Sequence, residues 1–199
     1  MGNCYNSLGE YSKAIKYYKQ SLLIAQEIND RNGESNSLNN LGNAYTSLKD
    51  YSNAIDHYKQ SLLIKRELGD GNGESNCLNN FSVVFLDLEQ YRQAIEYLQH
   101  SLQIQSKLSQ CKSGERRLEA NAWINLGTAL VKINRELDAL GAYRNARELY
   151  QDMELEKEIK LCNNAIERLS QPKAPVIYRR GFWAWLRQLW RWVCSWFRQ

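Results

Sequence analysis

The sequence predicts an all-α chain, an array of helix-turn-helix hairpins sharing one continuous core. Three observations carry that expectation. Apolar residues fall on two helical stripes, Leu38, Leu41, Tyr45 and Leu48 and then Tyr51, Ile55, Tyr58 and Leu62. The break between the stripes, Lys49-Asp50, is short enough to make the two helices antiparallel neighbours. The unit also recurs at an offset of 40 residues, so that Leu41, Gly42, Tyr45, Ala54, Tyr58 and Ser61 answer to Met1, Gly2, Tyr5, Ala14, Tyr18 and Ser21. Within the unit Gly42 and Ala54 are expected to let the two backbones approach closely, because neither carries a side chain larger than a methyl group.

Taken in order, the first hairpin covers residues 1–28 and lacks the opening two turns that Glu34 to Asn40 supply in the second copy. An open end of that kind leaves apolar surface uncovered, where repeat arrays need a polar capping unit. The expectation is that something N-terminal is missing, through a late start at Met1 or because the chain is a fragment. The second hairpin spans 32–68 and the third 72–108, the latter with Leu78, Phe81, Ser82, Phe85, Ala94, Leu98 and Ser101 in register. The runs Asn29 to Glu34 and Gly69 to Glu74 are linkers whose Asn or Asp caps the next helix and whose Glu lies in its first turn. The fourth hairpin, 114–152, carries Trp123, Leu126, Gly127, Leu130, Ala139, Tyr143 and Ala146. Its small residue lies 13 positions after the linker Gly114, against 9 from Gly33 to Gly42, which predicts a first helix about one turn longer. Leu155, Ile159, Cys162, Ile166 and Leu169 line one face of a capping helix over 154–169, and both prolines of the chain, Pro172 and Pro175, fall in a linker at 170–178.

Charge divides the chain. The net +4 conceals a body of 20 basic and 22 acidic residues up to Ser170, then a tail with six basic residues and no acid. The five cysteines show neither C-x-x-C nor metal-ligand spacing, so no disulfide framework, metal site or cofactor is expected, and the set fits a reducing cytoplasm. The N-terminus carries no basic segment followed by an apolar run and a cleavage site. The glycines of Gly69 to Gly73 follow no strand and make no phosphate-loop motif. His57 and His100 occupy different repeat positions with no nucleophile motif beside them, so they are expected on the surface and catalysis is not expected.

The spacing Leu38-x2-Leu41-Gly42-x2-Tyr45, followed by Ala54-x3-Tyr58, matches the signature W-x2-L-G-x2-Y…A-x3-F with leucine in place of tryptophan. The chain therefore resembles the tetratricopeptide repeat family, and its long period resembles the repeats of kinesin light chains. The resemblance implies a right-handed superhelix whose first helices line a concave groove for a protein or peptide partner. Asparagines are the candidate groove residues: Asn3, then Asn36, Asn39, Asn40 and Asn43, then Asn76, Asn79 and Asn80, then Asn121 and Asn125, with Asn6 beside Asn3. Asparagine costs up to ~0.7 kcal/mol against alanine inside a helix, so several in one helix need a compensating role. A carboxamide has two donors and an acceptor, which suits the backbone of an extended peptide. Val83 and Thr128 stand where Asn43 would predict asparagine, implying a less polar groove toward copies three and four. The expected function is a non-enzymatic adaptor. The alternatives are a structural or oligomerisation module, self-associating through the open N-terminal edge, and a fragment of a larger signalling protein of the same repeat family.

The tail, 179–199, holds Trp183, Trp185, Trp190, Trp192 and Trp196 with Phe197, and places Arg187 and Arg191 on a narrow polar stripe. Arginines recur too often for a transmembrane span. An amphipathic helix lying in the headgroup region is expected instead, because tryptophan favours that interface and each basic residue near an anionic surface adds about 1 kcal/mol. This places the protein in the cytoplasm, peripheral at the inner face of a membrane; the alternative is a helix that docks on the array or pairs with another chain, and nucleic acid is a weaker candidate for the same aromatic residues.

Overall fold

A computed structural model describes residues 1–108 and 113–171, with backbone alone at 113–115. The predicted linker beyond residue 171 and the whole of the predicted tail helix lie outside the described residues. Residues Met1–Leu169 form one compact unit and Ser170–Gln199 a second. Among the described residues there are nine helices and no strand: α1 (Gly2–Ser7), α2 (Tyr11–Glu27), α3 (Arg31–Ser47), α4 (Tyr51–Glu67), α5 (Gly71–Asp87), α6 (Tyr91–Lys107), α7 (Ser113–Lys132), α8 (Glu136–Asp152) and α9 (Glu156–Ser170). The helix α7 runs 20 residues against 17 in α3 and α5, as its longer spacing predicts.

Each described inter-helix turn is built the same way. One residue adopts a left-handed conformation, in series Gly9, Asn29, Lys49, Gly69, Glu89, Asn134 and Glu154, with φ between 55° and 76°. The amide of the next residue then reaches back to the carbonyl five positions earlier, as from Asp50 to Tyr45 at 2.9 Å and from Asp70 to Lys65 at 3.0 Å. This is the Schellman arrangement, which satisfies carbonyls that the helix end would leave open. In three turns the same residue also opens the following helix: Asp30, Asp50 and Asp70 accept from the backbone amides of Gly33, Asn53 and Gly73. One residue thus closes one helix and starts another, which fixes helix length and phase together.

The core runs along the array through Leu38, Leu41, Ala54, Tyr58, Leu78, Phe81, Ala94, Leu98, Leu126, Ala139 and Tyr143. Leu48, placed on the core stripe by its spacing, is 45% exposed because it is the C-cap residue just after α3, where the chain turns away. The repeated glycine does more than bring two backbones together. A methyl group added at Gly42 would come within 2.6 Å of the Tyr58 ring, and one at Gly2 within 2.6 Å of Tyr18. The glycine of the first helix is a socket for the tyrosine of the second. Copy three supports this as a swap of volumes, since Ser82 replaces the glycine where Leu98 replaces the tyrosine. At the far end Leu155, Ile159 and Cys162 pack with Ala120, Ala146 and Tyr150, while Ala165, Ile166 and Leu169 pack beside Leu126 and Tyr143. The helix α9 therefore covers the last hairpin with one face.

Candidate functional site

Helix α3 touches α5 and α5 touches α7, whereas no second helix makes a comparable contact with the next second helix among the described residues. The first helices therefore crowd together on the inner side of the array, and the asparagines ride on them. Their hydrogen bonds divide them into three groups.

The first group serves buried tyrosines. Tyr18 donates to Asn3 Oδ1 at 2.8 Å and Tyr58 to Asn43 Oδ1 at 2.6 Å, and Asn121 Oδ1 accepts from Tyr150 at 2.6 Å. In copy four Thr128 takes the place of Asn43 and lies 3.1 Å from the Tyr143 hydroxyl. In copy three, where Leu98 has no hydroxyl, the position is Val83. The departures from asparagine at Val83 and Thr128 thus follow the residue across the hairpin rather than a change in groove polarity. Burial pushes the Tyr150 phenol up to about 12 and moves Tyr58 further in the same direction, so both hydroxyls stay protonated donors.

The second group links neighbouring repeats. Asn80 Nδ2 donates to Asn39 Oδ1 at 3.4 Å, and Asn125 Nδ2 donates to Asn79 Oδ1 at 3.2 Å. The rung has one form: the asparagine before the core leucine or phenylalanine of one repeat donates to the asparagine one place further upstream in the repeat before it. The third group is Asn36, Asn40 and Asn76, whose carboxamides have no hydrogen-bond partner among the described residues. Asn36 and Asn76 are the same repeat position, and Asn36 and Asn40 line a polar recess of about 360 Å³ with Met1, Asn3, Tyr17 and Ser21. Asn6, beside Asn3 in copy one, has a buried carboxamide oxygen without a partner.

Sequence reasoning missed a second polar device. Ser35 and Ser61 hydroxyls lie 3.1 Å apart, and Ser61 also donates to the Ser35 carbonyl at 2.9 Å. Ser75 and Ser101 repeat the pair at 2.8 Å, with Gln105 donating to Ser75. In copy four both members become alanine together, Ala120 and Ala146, each with no exposed surface. Exchanging both hydroxyls at once leaves no orphaned polar atom. The signal was the recurrence of Ser35 as Ser75 at the repeat offset, which the apolar frame overshadowed. His57, expected on the surface, is half-buried and stacked on Tyr45 with ring centres 5.4 Å apart. Burial, and then the positive charge of Lys19, hold its imidazole below the ordinary value, with Asp56 opposing. No group of metal-ligating side chains occurs among the described residues, and no helix there is long and apolar enough to cross a membrane.

The tetratricopeptide repeat profile matches residues 1–67 and again 35–107, more than half of the chain between them. The chain belongs to the tetratricopeptide repeat family. Solved structures with the same fold include a single-site variant of a kinesin light chain-like protein of nearly identical repeats from Podosopora anserina, 15% identical, covering 100% of this chain and 93% of that one with a TM-score of 0.68. Aspartyl phosphate phosphatase F from Bacillus subtilis is 20% identical over 84% of this chain and 43% of its own, with a TM-score of 0.71. A Rap protein complexed with competence and sporulation factor is 15% identical over 84% of this chain and 45% of its own, with a TM-score of 0.69. This tetratricopeptide repeat chain therefore spans less than half of those last two proteins. No curated protein matches it. Its hairpins wind as the right-handed superhelix of the family.

Proposed function

We propose that this protein is a non-enzymatic adaptor that holds an extended partner polypeptide along the inner face of α3 and α5. The observation that carries the proposal is the pair Asn36 and Asn76, one repeat apart on the inner helices, whose carboxamides have no hydrogen-bond partner among the described residues. The other asparagines are spoken for by tyrosines or by neighbouring repeats, which narrows the ten sequence candidates to these two and Asn40. Membership in a family of interaction modules supports the reading, as does a structural neighbour solved in complex with competence and sporulation factor.

The tail at 179–199 is assigned to a peripheral membrane contact at the inner face, on the grounds of its tryptophans and arginines alone. Both assignments are tested on the full chain. Replacing Asn36→Ala with Asn76→Ala is expected to weaken calorimetric affinity for a captured partner polypeptide by about tenfold, as loss of hydrogen bonds worth ~0.5 to 1.5 kcal/mol each requires. Helix content should be unchanged. Equal affinity refutes the groove. In a parallel arm, anionic liposomes should sediment the full chain, a chain ending at Ser170 should stay in solution, and Trp190→Glu should bind more weakly; equal sedimentation of the three refutes the membrane contact.

A further inference from the structure

Each of the first three hairpins stacks one ring of its first helix on one ring of its second. Tyr5 lies on Tyr17 with ring centres 5.3 Å apart, Tyr45 on His57 at 5.4 Å, and Phe85 on Tyr97 at 5.1 Å, with the planes 7° to 17° from parallel. The fourth hairpin has Leu130 and Ala142 at these positions, where no stack can form. Among the six rings His57 alone is a histidine, the side chain whose ordinary titration lies near neutral pH.

Tyr45 places that histidine at a joint. Its ring packs against Ala14, Tyr18, Leu41 and Ala44, the apolar cluster that binds the first hairpin to α3. It packs equally against the cluster of the second hairpin, with Ala54, Tyr58 and Leu62. From α2 the Lys19 ammonium lies over the same ring, 6.0 Å from its centre. His57 is half-buried, and its Nδ1 is buried with no hydrogen-bond partner among the described residues. A neutral imidazole can carry its proton on Nε2 and leave Nδ1 bare, whereas the charged ring has a proton on both nitrogens. Charging it would therefore bury a donor with nothing to accept it. It would also bring a second cation to a ring face chemistry that Lys19 already uses. The charges that act on His57 are Lys19 from α2 and Asp56 from its own helix; α3 presents the Tyr45 ring, and no group of α5 or α6 acts on it among the described residues.

We propose that His57 makes the joint between α2 and α3 an acid-operated hinge, in which protonation of the imidazole breaks the stack on Tyr45 and loosens the first hairpin from the second. The sign follows from linkage. Burial, then Lys19, hold the closed imidazole below its ordinary 6.5 against the pull of Asp56, so the opened joint takes up its proton at the higher pH. The joint is fully closed well above pH 6.5, weakens as the pH falls through 6.5, and weakens no further once the closed imidazole is itself charged. The flanking stacks, which contain no histidine, hold over the same range. The hinge does not rest on the peptide groove, since Lys19, Tyr45 and His57 are not groove residues.

The test uses the full chain between pH 8 and pH 5. The His57 ring protons are followed by NMR, and amide hydrogen exchange in α2 and α3, corrected for its intrinsic pH dependence, is compared with that in α7 and α8. His57 is expected to titrate below 6.5, and exchange in α2 and α3 to rise on acidification by up to tenfold for each pH unit by which it does so, while α7 and α8 keep their rates. His57→Tyr, which copies Tyr17 and Tyr97, should abolish the rise. Lys19→Gln, on an exposed side chain, should move the titration upward and shrink the rise. A His57 titration at or above 6.5, the same rise in His57→Tyr, or an equal rise in α7 and α8 overturns the proposal. Should His57→Tyr fail to fold, the unsubstituted chain and Lys19→Gln decide it between them.

Discussion

At the scale of the residue, the repeat is governed by pairs that change together. Glycine and tyrosine share one volume, and the asparagine or threonine that receives the tyrosine hydroxyl disappears where the tyrosine does. Gly42→Ser alone is expected to destabilise the array by about 1 to 3 kcal/mol, because its side chain would enter the Tyr58 ring. Tyr58→Leu alone should also destabilise, through the volume lost and the Asn43 acceptor left without its donor. Combining the two recreates the Ser82 and Leu98 pair of copy three, so the double variant should be more stable than the sum of the singles, by ~0.5 to 3 kcal/mol. Urea unfolding of the four proteins measures that coupling, and strict additivity would mean that glycine and tyrosine do not share a socket.

At the scale of the element, the turn between α4 and α5 concentrates several duties on Asp70. It ends one helix, caps the next through Gly73, and receives the Lys65 ammonium at 2.8 Å. Lys65 is 6% exposed and is held also by Asn32 at 2.6 Å. For the Asp70 carboxyl, burial acts upward, but the Lys65 hydrogen bond, the Gly73 amide and the Lys65 charge together outweigh it and set the carboxyl below its ordinary 3.8. A carboxylate with a depressed folded value stabilises fully above its unfolded value and ceases to do so as the pH falls through the folded one. Stability attributable to this turn should therefore be intact at pH 5 and decline below about pH 4. Asp70→Asn keeps a capping side chain but withdraws the charge from Lys65, so it should cost about 1 to 3 kcal/mol at pH 7. It should also flatten that acid limb in denaturant midpoints taken from pH 5 to pH 2.5.

At the scale of the whole molecule, the array was legible because its apolar frame repeats, and each hairpin of the fold follows from stripes visible in the residues. The duties of the asparagines were not legible, since a carboxamide has the same appearance in a sequence whether it meets a tyrosine across the hairpin, a neighbour one repeat away or solvent. Nor were the left-handed turns at Lys49, Glu89 and Glu154, where no glycine marks the position and periodicity of the structure alone reveals them. The residue that closes one helix and opens the next has a further consequence for how such a gene can change. Loss of a single codon in the first turn of α4 would rotate everything after it by about 100° against α3 and break the pairs that join the two parts, Tyr58 with Asn43, Ser61 with Ser35 and Asn80 with Asn39. Gain of a whole unit is silent. A second copy of residues 31 to 70 inserted after Asp70 restores every cap, ring socket, serine pair and rung, because Asn39 of one copy then receives Asn40 of the next. The enlarged protein should unfold at higher urea concentration, as expected when a nearest-neighbour interface is added to an array. Unequal exchange between copies two and three is then a route by which lineages lengthen or shorten this chain without passing through an unfolded ancestor.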